Sequence, residues 1–220
     1  YEICACLVGS EMCIRDREWS ELNKTMQAQI KKKDTYKMGI DTLFNLRRQL
    51  MQTLVSFKED LCREDFNAIP FINADGYHSK TIAYSIWHIF RIEDIVAHTV
   101  ITEDEQVFFT GNYQVRINSP IITTGNELVK QQIADFSKQL NLEELYSYIF
   151  EVRESTEKIL ERFSYDELKW KIPDERKGYL KSLNVVNCDE KAIWLIDYWC
   201  SKDIRGLIQM PFSRHWIMHT

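Results

Sequence analysis

Glycine and proline are scarce in this sequence, with seven and four residues among 220. Both residue types interrupt regular structure, so long segments without them favour helices over an architecture of many strands and turns. Long apolar runs are also missing, since no stretch approaches the about 18 consecutive apolar residues that a membrane span needs. The sequence therefore predicts an all-α protein with no membrane partner.

An excess of positive charge is missing as well. The chain carries 28 Lys and Arg against 33 Asp and Glu, a net charge of -5, with both signs scattered along it. The single basic run, KKK at positions 31–33, is too short to indicate nucleic-acid binding against an acidic total. We interpret it as a solvated approach to a helix and expect no nucleic-acid partner. The length suits a single domain.

The first 17 residues do not match the rest of the chain. They begin without Met and have no basic region before their short apolar run, so they do not indicate a signal peptide. The stretch CLVGSEMCIRDR within them resembles a translated sequencing-adaptor artefact. We therefore interpret residues 1–17 as a non-native segment, residues 18–34 as a polar lead-in and residues 35–220 as one domain.

Outside that first segment the cysteines are few and widely spaced. Cys62, Cys188 and Cys200 form neither a disulfide framework nor a CxxC pair. We interpret them as free thiols, which predicts a reducing, cytoplasmic location. A nucleophilic Cys200 remains an alternative, but no activating neighbour is visible in the sequence, which favours a buried structural thiol.

Apolar residues recur at helical spacing in three long segments, covering positions 43–61, 79–101 and 142–163. Ser79 is the predicted N-cap of the second segment and Asn141 that of the third. The third repeats about every 3.5 residues, which is typical of a helix packed nearly parallel to others in a bundle. Pro70 and Gly76 are predicted to break the chain between the first two.

The remaining segments are less regular. Residues 103–120 are predicted to form a loop with a short extended piece, followed by a helix beginning near Thr124. Residues 164–168 predict a short helix and residues 173–187 a loop. Further helices are expected from about Asn187 and, at the carboxyl end, from Pro211, which suits a first helical turn.

The five histidines include a pair that could hold a metal ion. His215 and His219 are four residues apart, so their rings leave one helix face about 6 Å apart and can share a divalent ion. His88 lies on the apolar stripe of the second helix and is the best third ligand, whereas His78 and His98 align less well. Such a site would leave coordination positions open. The alternative is that these are ordinary core or surface histidines.

Two stretches, WHIFRIED at 87–94 and MPFSRHWIMH at 210–219, resemble the DinB/YfiT-like metal-binding four-helix bundles. The resemblance implies that His88, His215 and His219 bind one divalent ion, zinc or nickel. It also implies a DinB-like four-helix bundle, here with extra short helices and a long insertion, residues 165–210, before the last helix. A last helix of ten residues is short for such a bundle, which predicts a chain truncated at its carboxyl end.

The same resemblance implies a function. Characterised members include thiol-dependent S-transferases and a thiol-dependent isomerase, so the expected partners are a low-molecular-weight thiol and a small electrophile. A metal-dependent hydrolase is a related expectation, and a homodimer fits the family. Arg91 and Arg214 are candidate substrate-binding residues, with ion pairs to Glu93 or Asp94 as the alternative. Two other functions stay open: a non-catalytic metal-binding or stress-response bundle, and a helical interaction module with incidental histidines.

Overall fold

Helices form almost all of the regular structure. The computed structural model describes residues 2–69, 73 and 79–220, with side chains from residue 16 onward. Within those residues it contains no strand, and its only β-type pairing is an isolated bridge between Lys171 and Asp203. The prediction of an all-α protein is therefore confirmed for the described residues. The predicted break at Pro70 and Gly76 and the candidate His78 lie outside the described residues.

The α-helices differ widely in length, from 28 residues in the first to four in the shortest. The α-helices are α1 (Glu2–Gln29), α2 (Tyr36–Asp60), α3 (Arg63–Asn67), α4 (Ile82–Asp94), α5 (Val107–Thr110), α6 (Tyr113–Arg116), α7 (Gln131–Gln139), α8 (Leu142–Glu161), α9 (Glu175–Ser182), α10 (Glu190–Cys200), α11 (Ile204–Gln209) and α12 (His215–His219). One π-helical segment, Ile95–Thr102, continues α4, and another, Met210–Arg214, joins α11 to α12. Residues Glu167–Lys169 form a 3-10 turn. None of the helices in the described part of the chain is both long and apolar enough to cross a membrane.

The starts of α4 and α8 are set by capping side chains. Asn141 precedes α8 as predicted, and its side-chain oxygen accepts a hydrogen bond from the amide of Glu144 at 3.3 Å. The N-cap of α4 was predicted at Ser79, two residues before its position in the structure. The cap is Thr81, whose backbone is extended and whose hydroxyl accepts from the amide of Tyr84 at 3.1 Å. Both residue types can cap a helix, and only the backbone conformation decides between them.

Helix α4 lies at the centre of the fold. It packs against α8, α12 and α7, and all but two of its residues, Ile82 and Ser85, are buried. One apolar cluster surrounds Trp87 and Phe90, and a second surrounds Ile95 on the π-helical continuation. A helix that is apolar on nearly every side belongs in a core. Residues on α4 therefore meet side chains from several other helices.

The segment preceding α2 buries more apolar side chains than its sequence predicted. Residues up to Gln29 belong to α1, which packs along α2. Trp19, Met26 and Ile30 are buried against the core. Residues 18–29 are thus part of a helix with a buried face rather than only a polar lead-in, and residues 30–34 form the turn before α2. The lysines at 31–33 are exposed, as predicted.

The irregular segments contain more helix than predicted. Residues 103–120 form the short helices α5 and α6 rather than a loop with an extended piece, and α7 begins at Gln131 instead of near Thr124. Residues 173–187, predicted as a loop, contain α9. This helix is held by Arg176, whose guanidinium donates to the carbonyl of Thr99 at 2.6 Å and pairs with Glu103 at 2.8 Å. Such a long-range anchor is not visible in local sequence.

The carboxyl-terminal helical run is longer than predicted. It begins at Ile204, not Pro211, and its cap is Asp203, whose carboxylate accepts from the amide of Gly206 at 2.7 Å. It continues through the π-helical segment into α12. Proline has no amide hydrogen and disturbs an α-helix, which favours wider hydrogen bonding around Pro211. The carboxyl-terminal helical run therefore begins before Pro211, the start that the sequence predicted.

Candidate metal centre

The imidazoles of His88, His215 and His219 meet in one cluster. The ring centroid of His88 is 5.1 Å from that of His215 and 4.9 Å from that of His219, and the last two are 4.6 Å apart. One ring nitrogen from each lies within 4.8 Å of the other two. Among the side chains that the structure describes, this is the one group of three His, Cys, Asp or Glu at metal-binding spacing.

The local backbone brings the pair on α12 into this position. The amide of His215 donates to the carbonyl of Met210, five residues earlier, so the π-helical segment runs directly into α12. His219 follows one α-helical turn later, on the same face as His215. π-Helical turns re-aim the side chains that follow them and are frequent at functional sites.

A backbone carbonyl orients the ring of His88. Its Nδ1 lies 2.6 Å from the carbonyl oxygen of Thr124, so Nδ1 carries a proton and donates. The Nε2 atom then keeps its lone pair and faces Nε2 of His215 at 3.3 Å. A histidine that ligates a metal commonly donates its other N–H to a carbonyl in this way. Nδ1 of His215 is buried and has no hydrogen-bond partner in the described part of the chain.

All three rings are held neutral. Burial lowers the pKa of His88 to about 4, against the opposing effect of the Thr124 carbonyl. Burial also lowers the pKa of His215, and the nearby His88 adds to the effect. For His219 burial is again the main cause, followed by the neighbouring His215. Neutral imidazoles have the lone pairs that a metal ligand requires.

The spacing of the donor atoms fits a tetrahedral ion. Two nitrogens at about 2.0–2.1 Å from a zinc ion, separated by a tetrahedral angle, lie about 3.3 Å apart. The Nε2 atoms of His88 and His215 are 3.3 Å apart. This pair therefore suits a divalent ion of the zinc or nickel type, and a ring nitrogen of His219 lies within 4.8 Å of each.

The histidine cluster opens into a cavity. The three rings line a space of about 580 Å³. Its other lining includes six aromatic or thioether side chains: Tyr84, Trp194, Tyr198, Trp199, Met210 and Met218. The charged side chains on the wall are Lys80 and Lys130, and no carboxylate lines it among the described residues. A small molecule placed here could contact the histidines directly.

The structure corrects the expectation for Arg91. Its side chain is fully buried and does not line the cavity. The guanidinium donates to the side chain of Gln106 at 2.7 Å, to the carbonyl of Ile122 at 2.8 Å and to the carboxylate of Asp94 at 3.3 Å. It also lies over the ring of Phe108 at 4.3 Å. The alternative of an ion pair with Asp94 describes Arg91 better than substrate binding does, because its donors are already used.

The other candidate arginine lies near the cavity wall. Arg214 is exposed and is not among the lining residues. Its charge acts on Tyr198, which does line the cavity: burial raises the pKa of Tyr198 and the Arg214 charge opposes that rise. Contact between Arg214 and a substrate stays a prediction.

A buried network fixes α12 against the rest of the fold. Arg47 on α2 pairs with Glu93 on α4 at 2.7 Å, and both side chains are fully buried. Arg47 also donates to the carbonyl of Phe212 at 3.1 Å and lies over the ring of Trp216 at 4.4 Å. The indole N–H of Trp216 donates to Glu93 at 2.7 Å. Trp216 is the neighbour of His215, so this network positions the histidine pair.

Two other reactive groups lie apart from this centre. His98 contacts Asp104 at 2.7 Å and Ser155 at 3.0 Å, but none of these three residues lines the cavity at the histidine cluster. Cys200 is a buried free thiol, and burial raises its pKa. A raised pKa disfavours the reactive thiolate, which supports the structural interpretation of Cys200.

Sequence reasoning missed the polar and aromatic residues around the histidines. Lys80, Tyr84 and His88 follow one another at intervals of four residues. That interval predicts that the three side chains share one face of a helix. The ring of Tyr84 stacks on that of His88 at 5.4 Å. No sequence signal marked the carbonyl of Thr124, because any residue supplies a carbonyl.

Gly125 gives a testable link between the loop and the ring of His88. It has φ +76, and a Cβ there would lie 3.0 Å from the ring of Tyr84 and 3.1 Å from that of Trp87. We expect Gly125→Ala to lower the free energy of unfolding by about 1–2 kcal/mol. The change should also weaken zinc binding, because the carbonyl of Thr124 shifts from His88. Urea denaturation and a zinc titration measure the two effects.

The matched control for this change is Gly178→Ala. Gly178 lies within α9, and a Cβ there meets nothing within 4 Å. Alanine should stabilise an exposed helical position by about 0.5–1 kcal/mol and leave zinc binding unchanged. Equal stability effects of the two substitutions would contradict the role given to the loop.

Comparison with known proteins adds no relative. No protein-family profile matches this chain, and no curated protein matches it at a significant level. The likeness of its two motifs to the DinB/YfiT-like bundles therefore stays a prediction from those stretches alone, and the site must be argued from its own geometry.

Proposed function

We propose that this chain is a DinB-like helical-bundle protein that binds one zinc or nickel ion through His88, His215 and His219 and uses it in thiol-dependent transfer. The observation that carries this proposal is the convergence of three neutral imidazoles, two buried and that of His219 half-buried, on one point of a cavity wall. An ion held there would supply positive charge that stabilises a thiolate at neutral pH. The packing of α12 against α4 supports the bundle arrangement.

The composition of the cavity wall favours thiol transfer over hydrolysis. Hydrolysis is helped by a general base that takes a proton from water, most often a carboxylate or histidine. No carboxylate lines the described cavity wall, and the three histidines on it are the proposed ligands. A thiolate needs no such base at the moment of attack. In the proposed reaction a sulfur–carbon bond forms as the bond to the leaving group breaks, and the thiol proton goes to solvent.

The chain's own residues prepare the cavity for this reaction. The hydrogen bond from His88 to Thr124 fixes the ring tautomer, and the Arg47–Glu93–Trp216 network fixes the backbone that carries His215. Aromatic and thioether side chains exclude water from one side of the site. Fixed donors in a partly dry cavity cost little reorganisation when a substrate binds.

Metal analysis followed by turnover tests the proposal. Purified protein should bind one zinc or nickel ion per chain, and should then accelerate the reaction of cysteine with 1-chloro-2,4-dinitrobenzene, releasing chloride. Hydrolysis of p-nitrophenyl acetate should not be accelerated beyond zinc in buffer. Stoichiometric metal without turnover of either substrate would favour the non-catalytic metal-binding bundle. No bound metal, and melting unchanged by a chelator, would favour the interaction module.

A further inference from the structure

The charged residues of the cavity wall point to a class of substrate. Lys80 and Lys130 are the lysines that line the cavity, and no carboxylate faces them from the described part of the wall. A third lysine is near, since the charge of Lys191 adds to the effect of burial in lowering the pKa of Lys80. The charge of Glu127 acts on Tyr84, where it adds to burial in raising the pKa, but its carboxylate accepts from the hydroxyl of Thr123 and lies outside the lining.

Lys80 lacks the partner that comparable lysines have. Within the described residues no carboxylate lies within ion-pair distance of it, and its ammonium lies over the ring of Tyr84 at 5.0 Å. Lys58 lies over the ring of Tyr146 in the same manner, at 5.4 Å, but it is paired with Glu143 at 2.6 Å. A lysine beside a cavity, with no carboxylate among the described residues to pair with it, is suited to an anion from solution.

Lys80 is also held at a defined place relative to the histidines. The ring of Tyr84 is stacked nearly parallel to that of His88, at an angle of 10°. Its hydroxyl donates to the carbonyl of Gly125 at 3.0 Å, which fixes the ring. Lys80 and His88 thus both contact the one fixed ring of Tyr84. A ligand with its anionic group at Lys80 can present another part to the histidines.

The apolar side chains of the cavity wall favour a ligand whose remaining part is apolar or aromatic. Trp194 is 50% exposed and contacts Tyr198 edge-to-face at 5.8 Å. Met210 and Met218 also line the space. Covering exposed aromatic surface is favourable at about 25 cal/mol per Å². An apolar or aromatic ligand body would gain this energy, whereas a small hydrophilic anion would not.

We propose that the cavity binds small organic anions with an aromatic or apolar body, with Lys80 and Lys130 contacting the anionic group and Trp194 and Tyr198 contacting the body. This inference rests on the proposed function for the role of the histidines, and it adds the class of substrate. An anionic group on the lysines leaves the histidines, which line the same cavity, free for the reacting part. Cationic ligands of the same shape are repelled by the lysines.

A matched pair of probes tests this inference. 4-Phenylbutyrate and its neutral amide share a shape and differ in charge. Calorimetric titration of both the metal-free and the zinc-loaded protein should show the carboxylate binding about tenfold more tightly than the amide. The double variant Lys80→Met/Lys130→Met should lose that preference. Lys80→Arg should retain it, and so should the control Lys58→Met, which removes a lysine over a tyrosine ring outside the cavity.

The outcomes separate this inference from the proposed function. Equal binding of carboxylate and amide would overturn the inference even where zinc binds. A preference seen only with zinc, and unchanged in the double lysine variant, would assign the carboxylate to the metal and overturn the role of the lysines. A preference that persists in a protein unable to bind zinc would support the anion site and reject the metal-dependent function. Thermal melts of each variant confirm that it is folded.

Discussion

Replacing His88, His215 and His219 together by alanine is expected to remove the stabilisation of this protein by zinc. Free zinc at 100 times its dissociation constant should stabilise the unaltered protein by about 2.7 kcal/mol. For a chain of this size that raises Tm by roughly 5–10 °C. The triple variant should show no such rise, because its three ligating nitrogens are gone. Differential scanning calorimetry with and without zinc measures the effect.

His98→Ala is the control for this experiment. His98 is also buried, but it contacts Asp104 and Ser155 instead of the cluster. The substitution should lower Tm in the absence of zinc and leave the rise produced by zinc intact. A triple variant that zinc still stabilises fully would place the metal elsewhere and reject the centre described above.

Arg47→Met should be the most destabilising single substitution among those considered. It leaves the carboxylate of Glu93 fully buried without its cationic partner, and it removes a donor from the carbonyl of Phe212. Breaking a buried ion pair on one side costs about 3–5 kcal/mol. Urea denaturation of the zinc-free protein measures the loss. Zinc affinity should fall as well, because the network that holds Trp216 beside His215 is disrupted.

A second substitution should recover much of that loss. In Arg47→Met/Glu93→Gln no fully buried charge of the pair is left, since Glu157, the other partner of Arg47, still pairs with Arg153 at 2.9 Å. The amide oxygen of Gln can still accept from the indole of Trp216. Replacing both partners of a buried pair is often close to neutral. Lys158→Met, which breaks the exposed pair with Glu154, should cost at most about 0.5–1 kcal/mol. A double variant no more stable than Arg47→Met would show that the loss comes from packing.

The elements that the sequence predicted well are those whose signal is local. Helix α8 follows from its apolar repeat and from a capping Asn141, and both features involve residues within one or two turns. The inward face of α4, with His88 on it, follows from helical periodicity in the same way. The segment containing α9 was mistaken for a loop, because its burial depends on Arg176 reaching Thr99, 77 residues away.

The cationic residues near His88 show that residue type alone does not predict which side chain can contact a ligand. Arg91 and Lys80 are both cationic and lie near His88 in sequence, yet the first is enclosed by the core and the second lines the cavity. Successive helical positions differ by about 100°, so a shift of a few residues changes the environment completely. Only the packing of neighbouring helices determines which cation can meet a ligand.

The sequence by itself determined the helical class, the face of α4 that carries His88, and the shared face of His215 and His219, because each depends on periodicity within one helix. The tertiary structure decided that these faces meet, with Nε2 atoms 3.3 Å apart, and that an aromatic cavity with two lysines adjoins them. The physical reason is the separation along the chain over which each interaction acts. Capping and periodicity act within a turn or two, whereas the buried Arg47–Glu93 pair and the fixed ring of Tyr84 depend on contacts between distant segments.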